Sequence, residues 1–326
     1  MLKLTTYKAP EINDSLWKDF NAFTNKLNST DKSLEKFKEE MIEFACIREN
    51  FSFSFVTEDD QIIAVIHLRG WNPKELQVSI NSELKSCSNE MIELISELVK
   101  NYDDVSVDLV GSPTNDIGKD FFKKIGAKLI YSKEAYYLQK EKIDLVKMDD
   151  ICESKSDLKK DLDLYIYDTV EDEVSDEHLQ AWLDIAHVIA EEIVETYTND
   201  KVEKLSLDYI KKSNLKKREK NISMYNAMLF SKDGKVKAYS MVAIVRNEIP
   251  YIRQHVTGVA KEYRNKGIAL WLKAEMIKKL YNDFPTMTKI VTSTSSRNVG
   301  MNKINKKLGY EHSHSEDDYR IKIEEL

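Results

Sequence analysis

Two stretches of this 326-residue chain run in register with each other. From Asn115 the sequence reads NDIGKDFFKKIGAKLIYSKEAYYL, and from Asn298 it reads NVGMNKINKKLGYEHSHSEDDYRI. Aligned without gaps, Asn115 meets Asn298, Lys123-Lys124 meets Lys306-Lys307, Gly126 meets Gly309 and Tyr136 meets Tyr319. An Asn opening a helix, lysines in its last turn and a Gly just past its end are each favoured by helix-terminus physics. Their recurrence together at equal spacings points to two copies of one fold in tandem. Domains of roughly 100–200 residues agree with that count.

Hydrophobic periodicity fills in the elements. Phe51, Phe53 and Phe55 alternate, as do Ile63 and Val65, so Phe51 to Gly70 reads as two strands around a Glu-Asp-Asp turn. Asn226 to Val259 reads as a three-strand meander, turning at Asp233-Gly234 and again between Asn247 and Pro250. A helix follows, with Ile268, Trp271, Leu272, Met276 and Leu280 as its apolar stripe and Lys273, Lys278 and Lys279 on the expected solvent side. Next come a strand over Lys289 to Thr292, a helix near Met301 to Leu308 and a last strand near Tyr319 to Ile323. Another helix is expected from Asp176 to Thr196. The charged stretch Glu141 to Leu164 reads as the connector between the copies.

Composition narrows the function classes. Hydrophobic residues are 42% and charged residues 32% of the chain, enough for packed cores under a solvated surface. The formal net charge of -7 disfavours a general binder of phosphate backbones, so no nucleic-acid partner is expected. Cys46, Cys87 and Cys152 are widely spaced, with no CxxC pair, and no HExxH is present, so neither a metal site nor a disulfide framework is expected. No apolar run reaches the length of a membrane span, and the N-terminus lacks a signal-peptide core. A reduced, cytoplasmic protein is the expectation.

The sharpest motif is Arg264-Asn265-Lys266-Gly267-Ile268-Ala269, where the meander hands over to a helix. A helix start offers unpaired N–H groups and partial positive charge, which together suit an anion and phosphate above all. Gly267 lets the backbone approach a ligand, and Arg264 and Lys266 add fixed charge. The pattern R-x-x-G-x-A is neither GxxxxGK[ST] nor GxGxxG.

Here the sequence resembles the GNAT superfamily of acyl-CoA-dependent N-acyltransferases. That family carries [RQ]-x-x-G-x-[GA] between its fourth strand and third helix and binds the CoA diphosphate there. Thr257-Gly258-Val259 resembles the splayed end of the fourth strand, whose backbone holds the pantetheine arm. Downstream, TSTSSRNVGMNKINKKLGY resembles the family's later motif, with Asn298 matching the Asn that reaches the CoA arm and Leu308-Gly309-Tyr310 the usual ending. The resemblance covers Asp161 to Leu326 well and Met1 to Gln139 in outline. It implies an α/β (α+β) chain of two tandem GNAT-like domains, each a mixed, mostly antiparallel central sheet flanked by helices. The expected limits are 1–140 for the first domain, 141–160 for a linker and 161–326 for the catalytic domain. The gapless offset puts Asn81 to Ser86 opposite Arg264 to Ala269, with no Gly between Gly70 and Gly111. The first copy is therefore expected to be degenerate and not to bind acyl-CoA.

The implied reaction moves an acetyl group from acetyl-CoA to a primary amine of a small molecule by direct attack. An alkylamine with a pKa near 10.4 is neutral in only about one molecule in a thousand at pH 7, so something must take its proton. His255, two residues before Thr257, is the candidate base, sharing its face with Arg253 on a regular strand. Glu248 is an alternative base, and His187 with Glu191 or Glu192, on the helix from Asp176 to Thr196, is expected to line the substrate side. In the family a fourth-strand backbone N–H usually serves the oxyanion, and a Tyr four residues before the motif Gly often protonates the thiolate. That position here is Asn305, which cannot supply a proton but can hydrogen-bond the thioester sulfur. Either the thiolate leaves unaided, as a thiol of pKa near 8.5 permits, or Tyr310 serves. Carboxylates at Asp172, Glu173, Asp176, Glu177, Glu191, Glu192 and Glu195 would draw a cationic acceptor. A protein or peptide amine as acceptor, and a non-catalytic acyl-CoA-binding protein, are the alternatives. A tandem chain satisfies internally an interface that single-domain relatives make by dimerising, so a monomer with pseudo-dimeric domains is expected.

Overall fold

A computed structural model of the chain describes residues 2–46, 51–72, 75–102, 108–197 and 202–326, with the side chains of residues 43–46, 71–72 and 195–197 outside that description. The backbone divides into two compact units, Met1–Ser132 with Glu316–Leu326, and Lys133–Ser315.

In the first unit β1 (Lys3–Tyr7), β2 (Ser52–Glu58), β3 (Gln61–Asn72), β4 (Glu75–Ser82), β5 (Asp108–Gly111) and the end of β12 (Glu311–Lys322) lie side by side in that order. β4 and β5 are parallel and the other neighbours antiparallel. In the second unit the order is β7 (Leu162–Asp168), β8 (Ile222–Ser231), β9 (Val236–Val245), β10 (Tyr251–Val259), β11 (Lys289–Ser295) and β6 (Lys128–Gln139), the last from Lys133 onward. β10 and β11 form the parallel pair there, and the rest are antiparallel. Each unit is thus a mixed, mostly antiparallel sheet, and the two strand orders repeat each other.

The repeated residues hold equivalent positions. Asn115 Oδ1 accepts from the Gly118 N–H at 3.0 Å and caps α4 (Asp116–Lys124). Asn298 Oδ1 accepts from the Met301 N–H at 3.0 Å and caps α9 (Val299–Lys307). Gly126 (φ 75°) and Gly309 (φ 93°) both take the left-handed conformation that lets a helix end. Asp59 (φ 48°) and Asp60 (φ 62°) make the two-residue turn between β2 and β3, a conformation Asp tolerates better than most residues.

Helices cover both faces of each sheet. In the first unit, α1 (Asp14–Asn28) and α2 (Leu34–Cys46) bring Trp17, Phe20 and Phe37 onto Phe51, Phe53 and Phe55. On the other face α3 (Asn89–Lys100) and α4 pack Met91, Ile95 and Phe121 against Ile66, Leu68 and Val78. In the second unit successive β8 residues point to opposite faces. Met228 and Phe230 meet Trp182, Leu183 and Ile189 of α6 (Asp176–Tyr197), beside α7 (Leu207–Glu219). Ala227 and Leu229 meet Trp271, Leu272 and Met276 of α8 (Ile268–Asp283).

Two features were not foreseen. Within residues 141–160, expected as a linker, α5 (Leu145–Glu153) buries Met148, Ile151 and Cys152 in the core around α8. Lys273 is not on a solvent face but is 1% exposed, because α8 is covered almost all round. Lys278 and Lys279 are half-buried and paired with Asp149 (2.6 Å) and Asp283 (2.9 Å).

No described helix is long and apolar enough to cross a membrane. Among the described residues no group of three His, Cys, Asp or Glu is placed to hold a metal ion. Cys87 and Cys152 are buried free thiols, pushed up to about 11 and about 12 first of all by burial, then by the carboxylates of Asp120 and Glu275. Both are therefore thiols rather than nucleophilic thiolates at neutral pH.

Candidate active site

β10 and β11 pair at Ile252↔Ile290, Arg253↔Val291 and Gln254↔Thr292, then part, although β10 continues to Val259 and β11 to Ser295. A bulge lies at the parting point. Gln254 faces Val242 on β9 but Thr257 faces Ser240, so β10 carries one extra residue at His255–Val256. Such a bulge bends the strand and re-aims the residues beyond it. Buried Gln254 pins the branch: its Nε2 donates to Ser240 Oγ (3.1 Å) and the Met241 carbonyl (2.9 Å), and its carbonyl accepts from Thr292 Oγ1 (3.2 Å). Gly258 is required by close packing, since a Cβ there would sit 2.8 Å from Ile189 Cγ1 on α6.

A short 3-10 turn, Lys261–Tyr263, leads from β10 into the junction with α8. Asn265 (φ 62°) and Gly267 (φ 78°) are both left-handed, and Gly267 is the N-cap of α8 with no side chain closing the helix start. The first helical bond runs from the Trp271 N–H to the Gly267 carbonyl at 3.0 Å. The N–H groups of Ile268, Ala269 and Leu270 therefore have no helical partner and carry the positive end of the helix dipole.

These elements line a cleft of about 700 Å3. Its walls are Thr257, Gly258 and Val259 of β10, Arg264, Asn265, Gly267, Ile268 and Ala269 at the junction, Asn298 before α9, and Ile189, Glu192 and Ile193 of α6. Lys261, Tyr263, Leu270 and, from α9, Gly300, Met301 and Ile304 complete it. Every residue expected to hold the thioester carrier lies on this wall except Lys266, whose Nζ stands 4.9 Å from the ring of the wall residue Tyr263. Arg264 is already engaged: its Nη2 donates to Glu192 and its Nε to the Val259 carbonyl at 2.9 Å.

The expected catalytic side chains are not brought to this wall. His255 is exposed on β10, short of the cleft, and crowding of its ring together with the Arg253 guanidinium holds its pKa below 6.5. Asn305 and Tyr310 are buried behind it, at 0% and 4% exposure. There Lys273 Nζ donates to Asn305 Oδ1 at 2.7 Å and lies 5.1 Å from the Tyr310 ring centre. The Asn305 amide nitrogen and the Tyr310 hydroxyl have no hydrogen-bond partner among the described residues, and burial raises the Tyr310 pKa above its ordinary value. Burial alone pushes Lys273 down to about 7.

Some of the expected carboxylates have partners of their own. Asp176 pairs with Lys211 (2.6 Å), Glu191 with His187 (3.2 Å), and Asp172 accepts from the Asp168 N–H (2.7 Å). Glu192 alone of the expected carboxylates with described side chains lines the cleft. The sequence reading overlooked Lys155, in the turn after α5. A Cβ on Gly267 would lie 2.8 Å from both Cε and Nζ of Lys155, so this ammonium rests against the α8 junction.

The corresponding helix start in the first unit is built differently. Ser88 caps α3, its Oγ accepting from the Met91 N–H at 3.2 Å. The adjacent Cys87 N–H is taken by the Asp120 carboxylate at 2.8 Å.

No protein-family model matches the sequence, and no curated protein does. Solved structures do match. A tandem GNAT protein from the clavulanic acid biosynthesis pathway superposes with a TM-score of 0.66 at 13% identity, covering 99% of each chain. A GCN5-related N-acetyltransferase from Sphaerobacter thermophilus gives 0.59 at 11% identity, covering 99% of this chain and 96% of that one. A GNAT-family acetyltransferase from Colwellia psychrerythraea gives 0.51 at 16% identity, covering 98% of this chain and all (100%) of that one. At such identities the likeness is one of fold, and over 99% of its length this chain carries the tandem GNAT fold.

Proposed function

We propose that the second unit is an acyl-CoA-dependent N-acyltransferase that moves an acetyl group from acetyl-CoA to a primary amine of a small molecule. The observation carrying this is the open start of α8, with left-handed Gly267 and no side-chain cap, beside the parting of β10 and β11. Three free N–H groups and a helix dipole suit a diphosphate, and the unpaired strand edge beyond Gln254 suits the amides of a pantetheine arm. A cleft of about 700 Å3 is in the range of ligand pockets.

In this reading Thr257, Gly258 and Val259 line the arm and a β10 backbone N–H receives the oxyanion. The amine attacks the thioester carbon once its proton has gone, directly or through water, to a base for which His255 remains the candidate. The C–S bond then breaks and the thiolate takes a proton from solvent, since Asn305 has none to give. The first unit is read as a degenerate copy with a structural role, because Ser88 fills the helix start where Gly267 leaves it open and Asp120 adds a carboxylate beside it. Burial of Asn305 and Tyr310 favours a second reading, an acyl-CoA-binding protein without turnover.

Calorimetry with CoA and a free-thiol-release assay over a panel of amines test both readings. Micromolar CoA binding with amine-dependent thiol release is expected. Gly267→Glu should weaken CoA by at least ~10-fold, since it combines left-handed strain with a charge that repels the diphosphate. Binding without release on any amine selects the second reading, and no uptake of CoA refutes both.

A further inference from the structure

We infer that Lys155, in the turn after α5, is the main cationic contact for the diphosphate of the bound thioester carrier, in place of the motif residue Arg264. The inference rests on the acyl-CoA reading of the cleft.

Four cations are candidates at the α8 junction, and their surroundings separate them. Lys261 lines the cleft but is exposed, ahead of the junction in the 3-10 turn. Arg264 is bound to Glu192 and to the Val259 carbonyl, so its charge is neutralised and its fork is turned towards α6 and β10. Lys266 is exposed and lies over the Tyr263 ring. Lys155 has no ion pair or hydrogen bond from its ammonium among the described residues, yet it is half-buried with Nζ directly over Gly267. A lysine held half out of water with no counter-charge is a cation that gains from an anion. Gly267 is also the N-cap of α8, so the ammonium stands beside the residue from which the free N–H groups begin, although Lys155 is not itself on the cleft wall.

Lys155 is held there by anchors on either side. Asp149 of α5 binds Lys278 at 2.6 Å, and Cys152 is buried against α8. Beyond it, Lys159 stands 3.8 Å from Glu275 and 5.6 Å from the Trp271 ring. The Lys155 backbone closes the turn, its N–H bonding the Cys152 carbonyl (3.3 Å) and its carbonyl accepting from the Leu158 N–H (3.0 Å). The stretch that reads as a linker is, on this account, the support for a binding residue.

The test titrates the full-length wild type, Lys155→Ala, Lys155→Arg and Arg264→Gln with CoA, 3′-dephospho-CoA and pantetheine. Lys155→Ala should weaken CoA and dephospho-CoA alike by about tenfold or more, the scale of a charge-assisted contact. Pantetheine, which lacks the diphosphate, should bind as before; Lys155→Arg should recover most of the loss; Arg264→Gln should lose less than Lys155→Ala. Unchanged or tighter CoA binding in Lys155→Ala overturns the inference, the latter marking the side chain as an obstacle. So does a parallel loss of pantetheine, which would mean a structural role, or a loss confined to CoA, which would mean a contact with the 3′-phosphate. Wild type that binds no CoA refutes the reading of the cleft itself, an outcome distinct from all of these.

Discussion

Lys273 imposes a stability cost whose size is set by its burial. Its side chain is 1% exposed, hydrogen-bonded to Asn305 Oδ1 at 2.7 Å and otherwise faces the Tyr310 ring. Burial lowers its pKa from 10.5 to about 7. Between those values the unfolded chain binds a proton that the folded chain releases, so stability rises with pH from 7 to 10.5 and is flat below 7. At pH 7 the difference between the two states is about 4 kcal/mol, and at pH 9.5 it is about 1.4 kcal/mol. Lys273→Met keeps the apolar length and removes the titration, while leaving the Asn305 carbonyl unpaired at a cost of about 1–3 kcal/mol, independent of pH. The stability of Lys273→Met relative to wild type should therefore fall by about 3 kcal/mol between pH 7 and pH 9.5, whatever its value at pH 7. Urea unfolding monitored at the second unit, at several pH values in that range, measures this. A stability difference between the two proteins that stays constant to within ~0.5 kcal/mol would refute the argument, since a lysine charged in both states adds no slope.

Two further outcomes can be checked with simple variants. Crowding of the ring and the Arg253 guanidinium hold the His255 pKa below the ordinary histidine value, so if it takes the amine proton the rate should fall only on the acid side of that value, and His255→Ala should remove that limb; an unchanged profile dismisses it as the base. Asp168, 3% exposed, accepts from the N–H groups of Val170 (3.1 Å) and Met224 (3.2 Å) and pairs with Arg246 at 2.9 Å. Asp168→Ala should cost about 3 kcal/mol in thermal or urea unfolding because it orphans these donors at once, and a loss under ~1 kcal/mol would show that water replaces it.

Much of the fold was legible because its signals are local. The capping Asn residues 115 and 298 satisfy a helix N–H three positions on, and Gly126 and Gly309 supply a left-handed turn, all within a few residues of sequence. The junction at Gly267 was legible for the same reason, since an open helix start after a strand is a property of one short segment. Nearly all the residues expected to hold a carrier lie on the wall of one cleft, because they sit in two short segments of the chain.

What tertiary structure decided involves partners far apart in the chain. Lys273 is buried because Asn305 of α9 and Tyr310 cover a face that sequence periodicity left to solvent, and Arg264 is captured by Glu192 on α6. Residues 141–160 are charged enough to read as a linker, but three apolar side chains of α5 suffice to dock it on α8, because burial depends on which surface is offered rather than on mean polarity. The sheet edges were hidden for the same reason: β6 from Lys133 pairs with β11, and the end of β12 pairs with β5. Strand alternation marks which side chains face a core. It carries no information on which distant strand supplies the backbone partner.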